Sequence, residues 1–347
     1  MIDSYPFEPV DLANVTAESL APISLFNNSM RKEYRPDDPP LPLDEYLQLV
    51  RNIPEFIDVR LWALWNEEKT TVIGQIESEM YLMGENQHVL MGTVEVSPEY
   101  RRRGLGKKLF GKLVQLAIDN ERSLIMMQTY STVPAGKLFM EHIEAKPCLA
   151  THINQLRVQG VDGKLMHEWI NEAKSKAAVF ELGFWDAAYP DEEIDAIAKL
   201  WDLTNQAPRG ELEFKDVHTS ADELRQMEKM YFARGIQRWT FYVKEKSSGK
   251  FAGYTEMMWN PNRPMLLEQG FTGVFPEFRG KGLGRWLKAA MIEKILVDRP
   301  QVQFIRTQNA DINEHMLRIN NEMGFKPYIS STIWQIETQQ AKEYVKD

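Results

Sequence analysis

Two segments of this sequence combine closely spaced glycines with basic residues. One reads Arg279-Gly280-Lys281-Gly282-Leu283-Gly284, and the other reads Arg101-Arg102-Arg103-Gly104-Leu105-Gly106. Each follows a β-rich segment and precedes a helical pattern. Backbone N–H groups of such a turn converge on an anion, and the helix N-terminus adds its positive dipole end. The pattern predicts a pyrophosphate-binding turn, and it matches neither the Walker loop nor the dinucleotide glycine motif.

Two glutamates on predicted strands are candidate proton acceptors. Glu268 precedes Val274 by six residues, and this even separation predicts that it shares a face with Val274 and Thr272. Glu256 lies on the preceding strand and is the second candidate. For each of them, an exposed strand position or an ion pair is the alternative explanation.

The two glycine segments belong to an internal repeat with an offset of 178 residues, which is about half of the chain. Upstream of each lies a predicted hairpin with Gly-x-x-Glu on its second strand, so Glu77 matches Glu256, whereas Leu90 takes the place of Glu268. Downstream come a helix, a strand and a shorter helix. The sequence therefore predicts two copies of one mixed α/β domain.

The domain boundaries follow from turn-forming residues. Gln159–Gly163 is a turn-rich stretch, and an amphipathic connector follows it. We predict an N-terminal domain over 1–158, a connector over 159–179 and a C-terminal domain over 180–347.

Composition excludes several classes of protein. The chain has 347 residues, a net charge of −9 and one cysteine, Cys148. An acidic chain does not suit nucleic-acid binding, and no apolar run reaches the ~18 residues of a membrane helix. The single cysteine is expected to be a buried apolar residue of a cytoplasmic protein. The six histidines show no metal-ligand spacing, so no metal site is expected.

The repeated segments resemble the acyl-CoA pyrophosphate motif of the GNAT acetyltransferase superfamily. The matching residues run from Val274 to Gly284 and from Val96 to Gly106. Asn313 and the later Met323-Gly324-Phe325 are similar to the last helix of that superfamily. The resemblance covers both halves, as in mycothiol synthase and related tandem enzymes. It implies two GNAT-like domains, each a mostly antiparallel twisted sheet with a splayed central strand flanked by helices.

The resemblance also implies a reaction and a cofactor site. The reaction is direct attack of an amine of a small molecule or peptide on the thioester of acetyl-CoA, with Glu268 or Glu256 as the base. A backbone N–H near Val274 would stabilise the oxyanion. The implied cofactor-binding residues of the second half are Thr272, Gly273, Val274, Arg279, Gly280, Lys281, Gly282, Leu283, Gly284 and Asn313. Those of the first half are Val94, Val96, Arg101, Arg102, Arg103, Gly104, Leu105 and Gly106.

The two halves depart from the family pattern to different degrees. Asn320 and Met140 stand where the superfamily commonly has a tyrosine that acts as the general acid. Tyr328 or water could take over that role. The first half also has Val133 in place of Asn313. We therefore predict a catalytic C-terminal domain and a degenerate N-terminal domain that is still compatible with acyl-CoA binding. The alternatives are a non-catalytic acyl-CoA sensor and a structural repeat without ligand. The sequence leaves the amine, the acyl length and the oligomeric state open, and a monomer is plausible.

Overall fold

The computed structural model describes residues 4–346, which contain twelve strands and ten helices. The elements of the first half are β1 (Phe7–Pro9), α1 (Ala17–Tyr34), α2 (Leu43–Arg51), β2 (Ile57–Trp65), β3 (Val72–Tyr81), β4 (Val89–Val96), α3 (Leu105–Asp119), β5 (Leu124–Tyr130), α4 (Pro134–His142) and β6 (Lys146–Arg157). Those of the second half are α5 (Gly163–Lys176), β7 (Phe180–Asp186), α6 (Ile194–Trp201), α7 (Ala221–Ala233), β8 (Gln237–Glu245), β9 (Phe251–Trp259), β10 (Leu266–Val274), α8 (Leu283–Asp298), β11 (Phe304–Ala310), α9 (Glu314–Met323), β12 (Lys326–Glu337) and α10 (Thr338–Lys346).

The chain forms two compact units. Of the residues described, the first unit contains those up to Thr151, the segment Arg209–Lys215 and those from Ile329 onward. The second unit contains His152–Pro208 and Asp216–Tyr328. These units differ from the predicted ranges 1–158 and 180–347 because the chain crosses between them within β6, on both sides of Arg209–Lys215 and within β12.

The sheet of the first unit has the strand order β1-β2-β3-β4-β5-β12. Only β4 and β5 run parallel, and the other neighbours are antiparallel. The β4–β5 register ends at the pair Gly92 and Met127, although the strands run on to Val96 and Tyr130. The two strands therefore splay apart at their carboxyl ends. Helix α3 packs on one face of this sheet, and α1 packs on β3.

The sheet of the second unit repeats this plan. Its order is β11-β10-β9-β8-β7, with residues 152–157 of β6 beside β11. The parallel pair is β10–β11, whose register ends at Glu268 and Arg306 before the strands diverge. Helix α8 packs on β8, β9 and β10, whereas α6 packs on β9. The prediction of a mixed α/β fold with two similar, mostly antiparallel halves is confirmed.

The environment of the single cysteine and the character of the helices can be compared with what the composition predicts. Cys148 is a free cysteine with 8% of its surface exposed, as expected. Across residues 4–346, no helix combines the length and the apolar character that crossing a membrane needs.

Candidate functional site

Both glycine-rich turns adopt the backbone conformation that an anion-binding loop needs. Gly104 and Gly282 directly precede α3 and α8 and have φ angles of 82° and 80°. Two residues earlier, Arg102 and Gly280 also have positive φ, at 61° and 79°. Such alternation turns successive N–H groups toward one point at a helix N-terminus. The predicted pyrophosphate turns therefore have equivalent geometry in both units.

The first arginine of each turn ties the loop to the strand before it. The Arg101 Nε donates to the carbonyl oxygen of Val96 at 2.9 Å, and the Arg279 Nε donates to that of Val274 at 3.0 Å. Arg101 also forms an ion pair with Glu33 of α1. The exposed cations beside the loops are Arg102 and Arg103 in the first unit and Arg279 and Lys281 in the second.

A cavity of about 870 Å³ lies at the splayed strand ends of the first unit. Its lining comes from the glycine turn, from Val94 and Val96 of β4, and from the carboxyl end of β5. Helices α1, α4 and α10 close it with Tyr34, Met140 and Tyr344. The cavity therefore joins the anion-binding turn to the gap between two diverging strands.

Glu95 of β4 lines this cavity, and sequence analysis did not single it out. Its Oε2 accepts a 2.9 Å hydrogen bond from the Gln75 amide. Burial raises the pKa of Glu95 to about 7; the bond from Gln75 lowers it, and the nearby Glu33 and Arg101 act in opposite directions. Such a carboxyl exchanges protons near neutral pH. The signal that could have found it is its place between Val94 and Val96, both already predicted to bind the cofactor.

The second unit has no carboxylate at the matching place. Gly273 of β10 pairs with Tyr254, as Glu95 pairs with Gln75. A Cβ atom on Gly273 would lie 2.3 Å from the Phe271 ring. Phe271 itself packs with Leu203 and Tyr254 in an aromatic and aliphatic cluster. Around Gly273, this face of β10 is therefore filled with apolar side chains.

The prediction that Glu268 shares a face with Thr272 is wrong. The β9–β10 register shifts by one residue between Gln269 and Thr272, which identifies a β-bulge. The Gln269 Nε2 donates to the Thr272 Oγ1 at 2.7 Å, so these two residues share a face although they are three apart. Glu268 pairs with Met258 and therefore faces the same side as Glu256.

The bulge also changes the counterpart of Glu268 in the first unit. Glu268 pairs with Met258, and the residue in the same place on β4 is Met91, which pairs with Glu79. The sequence offset had indicated Leu90. Both residues are apolar, so the first unit still lacks an acid at this point of the strand.

Glu268 and Glu256 differ in their surroundings. Glu268 is exposed. Glu256 is 3% exposed, accepts a hydrogen bond from the Tyr189 hydroxyl and lies 3.9 Å from the Arg238 Nε. Burial raises the pKa of Glu256. Arg238, 1% exposed, also forms an ion pair with Glu228. The contacts of Glu256 are those of a buried ion-pair network.

A second polar chain underlies β10 on the opposite face. The Lys288 Nζ donates to the Gln269 Oε1 at 2.8 Å, and Thr272 shares a 2.6 Å hydroxyl hydrogen bond with Thr255. Burial lowers the pKa of Lys288 to about 7. The position of Lys288 in α8 carries no motif, so the sequence alone does not indicate this lysine.

The remaining predicted residues lie near the start and end of α9. Asn313 caps the helix, with its side-chain oxygen accepting from the Met316 N–H at 3.2 Å. Asn320 is buried and donates to the Asn309 Oδ1 at 2.8 Å. The ring of Tyr328 lies under the Arg306 guanidinium, 4.4 Å from ring centroid to Cζ. Asn313, which was predicted to bind the cofactor, is thus the N-cap residue of α9.

Residues 25–140 match the family model for the acetyltransferase (GNAT) family. This segment belongs to the half that the sequence predicts to be degenerate. No curated protein is significantly similar to the chain.

Solved structures resemble the chain over its whole length. A tandem GNAT protein from the clavulanic acid biosynthesis pathway superimposes with a TM-score of 0.77 at 22% identity, covering 96% of this chain and 98% of its own. A GCN5-related N-acetyltransferase from Sphaerobacter thermophilus superimposes with a TM-score of 0.63 at 12% identity, covering 97% and 96%. These likenesses establish the fold.

Proposed function

Because the chain has the tandem GNAT fold, with the GNAT acetyltransferase model matching its first half, we propose that it is an acyl-CoA-dependent N-acyltransferase. The acyl donor is acetyl-CoA, and the acceptor is an amine of a small molecule or peptide. We place the reaction in the first unit. The observation that carries this placement is the cavity that joins the glycine turn to the splayed strands and contains Glu95.

The first unit supplies what the donor needs. The N–H groups around Gly104 and the N-terminus of α3 would hold the pyrophosphate, with Arg102 and Arg103 adding positive charge. The gap beyond Gly92 and Met127 leaves backbone groups of β4 available to the pantetheine arm, as in strand addition. Val94 and Val96 line this gap.

Glu95 supplies the base that an amine acceptor needs. The ammonium gives one proton to the Glu95 carboxylate, and the neutral nitrogen then bonds to the thioester carbonyl carbon. As the carbon–sulfur bond breaks, the sulfur leaves as thiolate and takes the second proton from nitrogen. A base whose pKa is about 7 is suited to this step at neutral pH. Holding the amine beside the thioester supplies a further part of the acceleration.

The second unit is the rival location for the chemistry. Its turn has the same backbone geometry, and Glu268 and Glu256 remain its candidate bases. The apolar filling around Gly273 and the buried ion pairs of Glu256 favour the first unit instead.

The test measures release of free thiol from acetyl-CoA across a panel of amines, together with acetyl-CoA affinity. Glu95→Gln should lower turnover about hundredfold or more, because a general base contributes ~10²–10⁴, and should leave the affinity within about twofold. Glu268→Gln, in the other unit, is the matched control and should retain turnover. The opposite pattern would assign catalysis to the second unit. Binding without thiol release from any amine would indicate a sensor.

A further inference from the structure

Three glutamates lie on one face of β3 and β4 in the first unit. The register pairs Gln75 with Glu95, Glu77 with Thr93 and Glu79 with Met91, so all three carboxylates point to the same side. Diagonal neighbours on adjacent strands lie about 7–8 Å apart, and alternate residues of one strand lie about 7 Å apart. The carboxylates of Glu95, Glu77 and Glu79 thus form a row that begins in the cavity.

This row lacks balancing positive charge. The β2 residues that pair with Gln75, Glu77 and Glu79 are apolar: Ala63, Leu61 and Val59. Nearby arginines are engaged elsewhere, since Arg101 pairs with Glu33 and Arg31 pairs with Asp38 at 2.7 Å. Burial raises the pKa of Glu77 to about 7, and Glu79 and Glu95 raise it further. Among residues 4–346, no side chain forms a hydrogen bond or ion pair with Glu77.

An unsatisfied acceptor lies beside the row. Gln75 is 4% exposed, and its amide nitrogen is held by Glu95. The carbonyl oxygen of the same amide is buried without a hydrogen-bond donor among the described residues. A buried acceptor left unpaired is unfavourable by ~1–3 kcal/mol. Three carboxylates and an orphaned carbonyl oxygen need donors, and alkylammonium groups supply them.

Helices α1 and α2 cover this face of the sheet, since they pack in one apolar cluster with Leu61 and Ala63 of β2, and each contributes a tyrosine to the site. Tyr46 of α2 is buried, and burial is the main reason that the pKa of its phenol is raised. Glu77 and Glu95 lie near enough to raise this pKa further. Tyr34 of α1 stacks on Tyr130 with ring centroids 5.0 Å apart, and both rings line the cavity. Aromatic faces attract ammonium groups. The part of the cavity beside Glu95, Tyr34 and Tyr130 therefore favours a cation, whereas the glycine turn at its other end favours an anion.

From this arrangement we propose that the acceptor is a linear diamine or polyamine. One ammonium lies at Glu95 and is acylated after giving up its proton, while a second ammonium binds between Glu77 and Glu79. This rests on the proposed function for the reaction, whereas recognition of the second charge rests on the row alone. Glu77 and Glu79 are then specificity residues.

The first test measures binding without the reaction. Diaminobutane and butylamine have the same carbon chain and differ by one ammonium. Calorimetric titration of the full chain should give an affinity for diaminobutane at least tenfold higher than for butylamine. Glu77→Gln should remove that difference, and Glu121→Gln, at an exposed position of the same unit, should keep it. Equal affinities in the unaltered protein would overturn the proposal.

The second test separates this proposal from the proposed function. In the thiol-release assay, Glu77→Gln and Glu79→Gln should each raise KM for diaminobutane about tenfold with little change in kcat. A preference for diaminobutane in binding without any thiol release would sink the transferase function and leave the cation site standing. Thiol release with equal kcat/KM for the two amines would support the transferase function and overturn the diamine proposal.

Discussion

At the residue scale, the acidic row of the first unit opposes folding when it is ionised. Glu77 has its pKa raised from 4.5 to about 7 by burial and by its acidic neighbours. The folded state therefore binds this proton more tightly than the unfolded state does. Stability falls as the pH rises from about 4.5 through 7, because the carboxyl must ionise in an unfavourable place. Functional sites often accept such a penalty.

Replacing Glu77 with Gln should remove this penalty. We expect the variant to gain about 1–2 kcal/mol of unfolding free energy at pH 8, a value already discounted for the partial exposure of the site. The gain should shrink toward zero near pH 3.5, about one unit below the ordinary pKa of 4.5, where the carboxyl is protonated in both states. Urea denaturation at the two pH values measures it, with Glu121→Gln as the control. A gain that does not change with pH would contradict the assigned cause.

Sequence reasoning located the strands of the site and misjudged its side chains. The even spacing of Glu268 and Thr272 predicts a shared face only for an unbroken strand, and the bulge after Gln269 reverses it. Gly270 lies inside the strand at this bulge, and an isolated strand glycine is the signal that could have indicated it. Glu95 was within reach, because it lies between two residues that the motif had already marked. Its raised pKa comes from tertiary burial, which the sequence does not display.

At the element scale, the two turns differ at one strained position. Arg102 occupies a left-handed conformation with φ 61°, where the second unit has Gly280. This conformation is unfavourable by ~1–2 kcal/mol for a residue with a Cβ atom. Arg102 also lines the cavity at the predicted pyrophosphate site. Strain retained at such a place favours a role for the arginine charge in binding.

Exchanging these two residues tests that role. Arg102→Gly should increase stability by about 0.5–1 kcal/mol, since relief of strain exceeds the entropy that glycine loses on folding. It should also weaken acetyl-CoA binding severalfold. The reverse change, Gly280→Arg, should lower stability by a similar amount. Thermal unfolding and calorimetry read out the two effects, and an Arg102→Gly variant that binds acetyl-CoA as well as the unaltered protein would remove the arginine from the site.

Helices and strands around the turns were predictable because their periodicity is local. The strand predicted after the first glycine turn and its helix is observed as Leu124–Tyr130, and the predicted connector over 159–179 contains the helix Gly163–Lys176. Helices α1 and α2, which cover the acidic row, carry no motif and were not foreseen. The strands and the turn of the site could therefore be predicted from the sequence, whereas the two helices that cover it could not.

At the scale of the whole molecule, each unit is completed by sequence from the other half of the chain. Strand β12 pairs with β5 from Ser331–Tyr130 to Glu337–Leu124, and α10 then contributes Tyr344 to the cavity. Residues 1–158 alone thus lack a strand and a helix of the first unit. Periodicity identifies a strand but not its partner, so the sequence could not predict this exchange.

Because the glycine-rich turn occurs in both units, the reaction has to be assigned to one of the two. Both units present the same anion-binding geometry, and the first unit adds the 870 Å³ cavity with a carboxyl of pKa about 7. Gly106 and Gly284 occupy matching positions in the first turn of α3 and α8. A Cβ atom at either would meet neighbours only at 3.7 Å or beyond, so both positions tolerate a side chain.

The decisive measurement is a calorimetric titration of the full chain with acetyl-CoA, repeated on Gly106→Glu and on Gly284→Glu. A carboxylate in the first turn of a helix is compatible with folding and repels a bound pyrophosphate. We predict that Gly106→Glu weakens binding at least tenfold, which corresponds to about 1.4 kcal/mol, and abolishes thiol release, whereas Gly284→Glu retains turnover. Unchanged binding and turnover in Gly106→Glu would contradict the placement of the reaction in the first unit.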